Sequence, residues 1–346
     1  MTPFFSFRQR LTPTAAPLAR AVAAVLLLLA VQGCDLSGPD YEEQIVVSAI
    51  LEVGEPLRAV TLSRTTALGG TSGATPPVTD ASITISLLDA SGAPEAEYAY
   101  AHIGGGRYVT DDSTSITLPG RTYAFRADVP GRPLITARTT TPEAVILAED
   151  VAPEVTYLQG FNGLGPSFRV RSGAAASGDQ NVFLIGISAD AIDDYEVYQR
   201  DDESFGLRRQ FVEGRFGPTA DAASFIDGID CEPLGNGAYD CDFLPEDIAG
   251  GESPLLNEES YVRNGDGTLT VIVPWLAVSF FGPHTFTLNS LDPALVAFIS
   301  TQSVQFNPTT ISPGEIPNVT TNIENDSGLG VFGSFARTSV TTTIVP

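Results

Sequence analysis

Apolar and polar residues alternate with a period of two along most of the chain. "QIVVSAILE" (44–52) is rich in β-branched residues and has the length of a strand. In "LRAVTLSRTT", Leu57, Ala59 and Thr61 fall on one face and Arg58, Val60 and Leu62 on the other. "ASITISLLDASG" puts Ile83, Ile85 and Leu87 on one face before a turn, and "AEYAYAHIGGGRYVT" reads as a hairpin turning at Gly104 to Gly106. Tyr123, Phe125 and Ala127 alternate in "ITLPGRTYAFRADVPG", and "PLITARTTTP" supplies one more strand. About seven short strands in about a hundred residues, with a turn every 8–12 residues or so, predict an immunoglobulin-like β-sandwich over residues 44–142.

From 143 to 346 the pattern is longer and less regular. "VTYLQGF", "SFRVRSG", "NVFLIGISAD", "GLRRQFVEGRFG", "DGTLTVIVPWLAVSFF", "HTFTLNSL" and the closing "GVFGSFARTSVTTTIV" read as strands of a larger β-rich domain. One stretch, "SLDPALVAFISTQ", changes period. Pro293 suits a first helical turn, Asp292 is the N-cap candidate, and Leu295, Val296 and Ile299 share a face. The expected fold is therefore all-β: an N-terminal immunoglobulin-like β-sandwich followed by a larger β-rich domain with one short helix. The 33 glycines and 25 prolines agree with a turn-rich β protein.

Residues 1–33 break from this pattern and read as an export signal. Arg8, Arg10 and Arg20 flank "AVAAVLLLLAV" (21–31), an apolar run of signal-peptide length. "VQGC" follows, with Gly33 directly before Cys34 and Val31 three positions before it. That is a bacterial lipobox pattern, although Gln32 is not a favoured residue within it. Acylation of Cys34 would fix the mature chain to a lipid bilayer through its N-terminus, with residues 34–43 as an acidic tether. No later stretch holds eighteen unbroken apolar residues, so no transmembrane helix is expected. Of the three cysteines, Cys231 and Cys241 then remain. They flank the turn-rich "EPLGNGAYD", and in an oxidising compartment a small-loop disulfide is the default. A metal site would need a second Cys pair or a nearby His to complete its tetrahedron.

Charge narrows the partners. All eighteen basic residues are Arg, and without residues 1–33 fifteen of them face 42 acids, a net charge of −27. So acidic a surface opposes phosphate backbones, and no nucleic acid partner is expected.

Candidate chemistry is sparse. "GLGVFG" (328–333) has the spacing of a dinucleotide loop, but such a loop needs a following helix and a distant ribose-binding acid. Only thirteen residues remain, and they read as a strand, so no nucleotide is expected. The glycines instead suit positive φ and close backbone approach, with Val331, Phe332 and Phe335 anchoring a core. "NGDGTLTV" (264–271) lacks acids at the first and twelfth positions of a calcium loop, Val262 and Val273, and reads as a hairpin turn. Acids cluster from Asp221 to Asp247, and Asp227, Asp230, Asp240 and Asp242 are candidate Ca²⁺ ligands beside the alternative of a solvated loop. "AIDDYEVYQRDDESF" (191–205) sets Tyr195, Tyr198 and Phe205 among acids, as a sugar or peptide site can. No hydrolase motif occurs, and His102 and His284 are the only histidines. No catalytic residue and no cofactor beyond a possible Ca²⁺ is assigned.

Several stretches carry a family resemblance. They are the Cys34 tether, "YEEQIVVSAILEVGEPLRAVTLSRT", "PPVTDASITI", "GGGRYVT", "LPGRTYAFRADVPG" and "NIENDSGLGVFGSF". Together the chain resembles the outer-membrane lipoproteins of Bacteroidetes-type bacteria grouped as domain of unknown function 4249. The resemblance covers most of the mature chain, best at the two ends and loosely around the Cys pair. The Asp-Ser insertion before Gly328 departs slightly from the tighter family form. The resemblance implies that "GLGVFG" is a C-terminal structural hallmark and transfers no catalytic residues. It also implies a neighbouring TonB-dependent receptor.

The expected protein is thus a lipoprotein of the cell envelope. It would be anchored in the outer membrane, with its acids after Cys34 fitting export to the surface. There it would be a non-enzymatic accessory for ligand binding or uptake with a TonB-dependent receptor. The alternatives are a surface hydrolase acting on glycans through two carboxylates between Asp193 and Asp247, or a structural or adhesion protein.

Overall fold

The computed structural model describes residues 42–66, 75–112, 114–149, 151–157, 166–172, 182–191, 196–199, 207–210, 217–218, 231–233, 239–241, 250–257, 259–273, 277–306, 320–324 and 327–345. The seven strands expected before residue 142 are all present: β1 Ile45–Glu52, β2 Val60–Arg64, β3 Ser82–Leu88, β4 Pro94–Gly104, β5 Arg107–Thr110, β6 Thr122–Asp128 and β7 Ile135–Thr140. Period-two alternation sets their faces. Ile83, Ile85, Tyr123, Phe125 and Ala127 are buried, and their odd-even neighbours are not. These residues join Val47, Leu51, Val60 and Leu62 in a first core. Tyr108 is wholly buried there. Its hydroxyl donates to Val78 O (3.0 Å) and accepts from Ala81 N (3.1 Å), so no polar atom is stranded.

The remaining strands are β8 Val145–Leu147, β9 Glu154–Thr156, β10 Ser167–Ser172, β11 Phe183–Ala189, β12 Glu196–Gln199, β13 Leu207–Gln210, β14 Gly217–Pro218, β15 Cys231–Pro233, β16 Tyr239–Cys241, β17 Gly250–Glu252, β18 Tyr261–Arg263, β19 Leu269–Ile272, β20 Phe280–Leu291 and β21 Leu329–Val345. One helix, α1 Pro293–Phe306, lies between the last two. Among the described residues the fold is all-β with this one short helix.

The strands form one large sheet of thirteen, with the order β17-β11-β20-β21-β1-β2-β5-β4-β3-β6-β7; β14 adds to β20 and β9 to β21. A smaller sheet, β18-β19-β10-β8, packs over the β11-β20-β21 end. A second core fills the space between the two sheets. Phe168 and Phe286 meet across it with ring centroids 5.1 Å apart, and Phe183 meets Tyr261 edge-on at 5.6 Å. The pairs β12-β13 and β15-β16 stand as separate two-stranded ladders.

The N-terminal and C-terminal strands share the large sheet through β21. It runs parallel to β1, from Val46 opposite Leu329 to Glu52 opposite Phe335, and antiparallel to β20 along its other side. Phe332 enters the first core, while Ala336 and Ile344 enter the second. Gly330 makes the parallel pairing with β1 possible. Its φ is +103°, and a Cβ there would meet the Val47 carbonyl oxygen at 1.9 Å. No side chain fits that space. "GLGVFG" therefore opens a strand that pairs with β1.

"NGDGTLTV" is the β18-β19 hairpin turn. Asn264 N donates to Thr268 O at 2.9 Å, and Asp266 is engaged by Thr268 and Arg169. His102 is exposed on β4, its ring 5.1 Å from Tyr108. His284 on β20 is buried, its Nδ1 3.0 Å from Gly282 O.

Candidate functional site

The helix starts where the sequence places it. Asp292 caps it: Leu295 N donates to Oδ1 at 2.7 Å and Val296 N to the Asp292 carbonyl at 3.0 Å. The other oxygen does more than cap. Oδ2 accepts from the Ser334 hydroxyl (2.7 Å), the Ser334 amide and the Thr139 hydroxyl, and the two hydroxyls lie 2.9 Å apart. The knot thus ties α1 to β21 and to β7, and all three side chains are buried. Burial pushes the Asp292 carboxyl above its ordinary range, against the pull of its four donors. The knot is sealed and fully engaged, which makes it structural.

Beyond the knot α1 crosses the sheet at Gly333. A Cβ there would stand 3.0 Å from the Leu295 Cβ, so the missing side chain lets the helix sit close. Further along, a groove of 290 Å³ opens between the helix and the sheet. Leu295, Phe298 and Ile299 line it from the helix, and Ile50, Leu184, Leu291 and Phe335 from the sheet. Its polar side chains are those of Glu252, Asn289 and Arg337. The volume lies near the low end of small-molecule sites, and an apolar lining with a few polar groups is their usual chemistry.

Strand register explains which residues meet there. Leu184 pairs with Asn289 and Asn289 with Arg337, so β11, β20 and β21 place them in one row on one face. Arg337 Nε donates to Asn289 Oδ1 at 2.9 Å and lies 3.6 Å from Glu52 Oε1. The Arg337 and Arg58 guanidinium carbons stand 5.1 and 5.4 Å from the Phe335 ring centroid. Arg58 also pairs with Glu52, which is 5% exposed. Burial and the neighbouring Arg337 both lower the Arg58 pKa. Two guanidinium groups thus share one buried carboxylate at one end of the groove.

Among the described residues, none of the expected site residues lines this groove. Cys34, Asp227, Asp230 and Asp242 lie outside the described residues, as do Tyr195 and Phe205. Asp240 falls on β16 opposite Glu232 of β15, and Cys231 falls directly opposite Cys241. Among the described residues no group of three or more His, Cys, Asp or Glu side chains is placed to hold a metal ion, and no helix is long and apolar enough to cross a membrane.

Arg58, Asn289 and Arg337 were not singled out by motif, since they come from three distant segments. A local signal existed for one of them. In "SFARTSVTTT" the alternation carries Phe335, Arg337, Ser339 and Thr341 on one face, so that face changes from apolar to polar at Arg337.

The sequence model of one family, the domain of unknown function DUF4249, matches residues 34–343. The chain belongs to the DUF4249 family. No curated protein matches it. Solved structures similar to this DUF4249 chain include trypsin-activated α-2-macroglobulin from Escherichia coli, at 12% identity and TM-score 0.18 over 74% of this chain and 15% of that one. Salmonella α-2-macroglobulin reacted with methylamine gives 12% and 0.22 over 89% and 15%. The three N-terminal domains of the bacteriophage RB49 outer capsid protein Hoc give 11% and 0.20 over 72% and 64%. The DUF4249 chain thus spans about 15% of the macroglobulins. Its "GLGVFG" run opens β21, the strand common to both cores.

Proposed function

We propose that the protein is an outer-membrane lipoprotein, anchored through Cys34. In this reading it captures a ligand in the groove beneath α1 and assists a TonB-dependent receptor without catalysing a reaction. The groove is the observation that carries the ligand-binding reading: most of its side chains are apolar, and the polar ones are Glu252, Asn289 and Arg337. It offers one carboxylate, whereas acid–base hydrolysis of a glycoside calls on two. The anchor reading is supported by "VQGC" at the end of an apolar run and by a family match that starts at Cys34. Acidic residues after Cys34 favour the outer surface of the cell.

Cys231 and Cys241 form a disulfide in this account. Directly opposed residues of an antiparallel ladder have Cα atoms about 4.5–5.5 Å apart, within the span a disulfide bridges.

Metabolic labelling with palmitate, followed by membrane fractionation, tests the anchor. The account expects label in the wild-type chain and none after Cys34→Ala, with the variant leaving the outer-membrane fraction. Equal labelling of the two would contradict it. Turnover of any member of a polysaccharide panel by the purified chain would contradict the non-catalytic role.

A further inference from the structure

We infer that the groove beneath α1 takes a molecule with an apolar tail and a single carboxylate head, the tail between helix and sheet and the head on Arg337. This inference rests on the groove being the ligand site proposed above and adds the chemical class.

The tail follows from the walls. Leu295, Phe298 and Ile299 face Leu184, Leu291 and Phe335 across 290 Å³, and none carries a hydrogen-bonding group that a polar ligand would use. The head follows from charge. Arg58 and Arg337 both stand on the Phe335 ring and share Glu52, and Arg337 is the one cation among the residues that line the groove. Arg337 spends its Nε on Asn289 and keeps 43% of its side chain exposed. A guanidinium carries its two terminal nitrogens in a planar fork, the geometry that pairs with a carboxylate. In a chain of formal charge −24, an arginine on the lining of an apolar groove is a selective feature.

Glu252 limits the head. It lines the same groove from the edge strand β17 and repels a second negative charge. A monocarboxylate is favoured over a phosphate monoester, whose head approaches two charges at neutral pH. The tailed carboxylate has two natural sources, a free fatty acid or the C-terminal residue of an apolar peptide.

Isothermal titration of the full chain in nanodiscs, with empty nanodiscs as the blank, separates the outcomes. The probes are octanoate and octanol for the lipid source, N-acetyl-Leu-Leu and its C-terminal amide for the peptide source, and octyl phosphate for the doubly charged head. Binding of octanoate or of N-acetyl-Leu-Leu, at least tenfold tighter than its uncharged analogue, supports the inference and names the source. Arg337→Gln should remove that tenfold preference, Arg337→Lys should restore part of it, and Glu252→Gln should improve octyl phosphate binding several-fold. Unchanged thermal unfolding of each unliganded variant excludes a folding defect. Equal binding of acids and uncharged analogues, or no binding of any probe, would overturn the carboxylate assignment. Recovery of a receptor with the native chain would still stand in either case, so the two readings fail separately.

Discussion

At the scale of single residues, three positions convert the structure into measurable differences. Gly330 combines a φ of +103° with a Val47 carbonyl where a Cβ would stand. Gly330→Ala is expected to lower stability by about 3 kcal/mol or more in urea unfolding, because both the backbone strain and the clash fall on the strand common to the two cores. A loss under about 1 kcal/mol would mean that β1 and β21 pair less closely.

Asp292 gives a pH signature. Its folded pKa is raised, so between the ordinary Asp value of about 4 and that higher value the folded state holds more protons than the unfolded one. Stability from this group therefore falls as pH climbs through that window. Asp292→Asn removes the slope and, by leaving the Ser334 amide without its acceptor, costs about 1–3 kcal/mol at neutral pH.

His284 slopes the opposite way. Burial lowers its pKa, so the unfolded state takes up protons first and stability falls as pH drops below about 6.5. His284→Gln should flatten that fall.

At the scale of elements, α1 and β21 show how much the sequence carried. Alternation, β-branched runs and turn residues made the N-terminal strands legible, because most of them bury one face. The switch to helical period at Pro293, with Asp292 as cap, was equally plain. The knot around Asp292 was not legible, because Thr139 and Ser334 reach it from strands more than forty residues away in either direction. The groove stayed hidden for the same reason. Its lining gathers β1, β11, β17, β20, β21 and α1, and no local pattern announces which strands become neighbours. The short ladders β8 and β17 lacked the length to show a period. Leu295 sits where α1 meets Gly333, so Leu295→Ala should cost about 2–4 kcal/mol and loosen the helix. Amide exchange along α1 should then quicken more than along β20.

At the scale of the whole molecule, β21 couples the two cores. Phe332 belongs to the first and Ile344 to the second, and the strand between them is continuous. Residues from Gln44 onward should unfold in one cooperative step, and Phe332→Ala should shift that single transition by about 3–5 kcal/mol. Two separated transitions would show that β21 does not hold the cores together.

The lipidated protein is proposed to work beside a receptor. An affinity pull-down of the tagged native chain from detergent-solubilised outer membranes, read by mass spectrometry, tests it most directly. The account predicts a TonB-dependent barrel recovered in stoichiometric amount, and lost when Cys34→Ala removes the anchor. The chain recovered alone from a membrane that contains such barrels would contradict it.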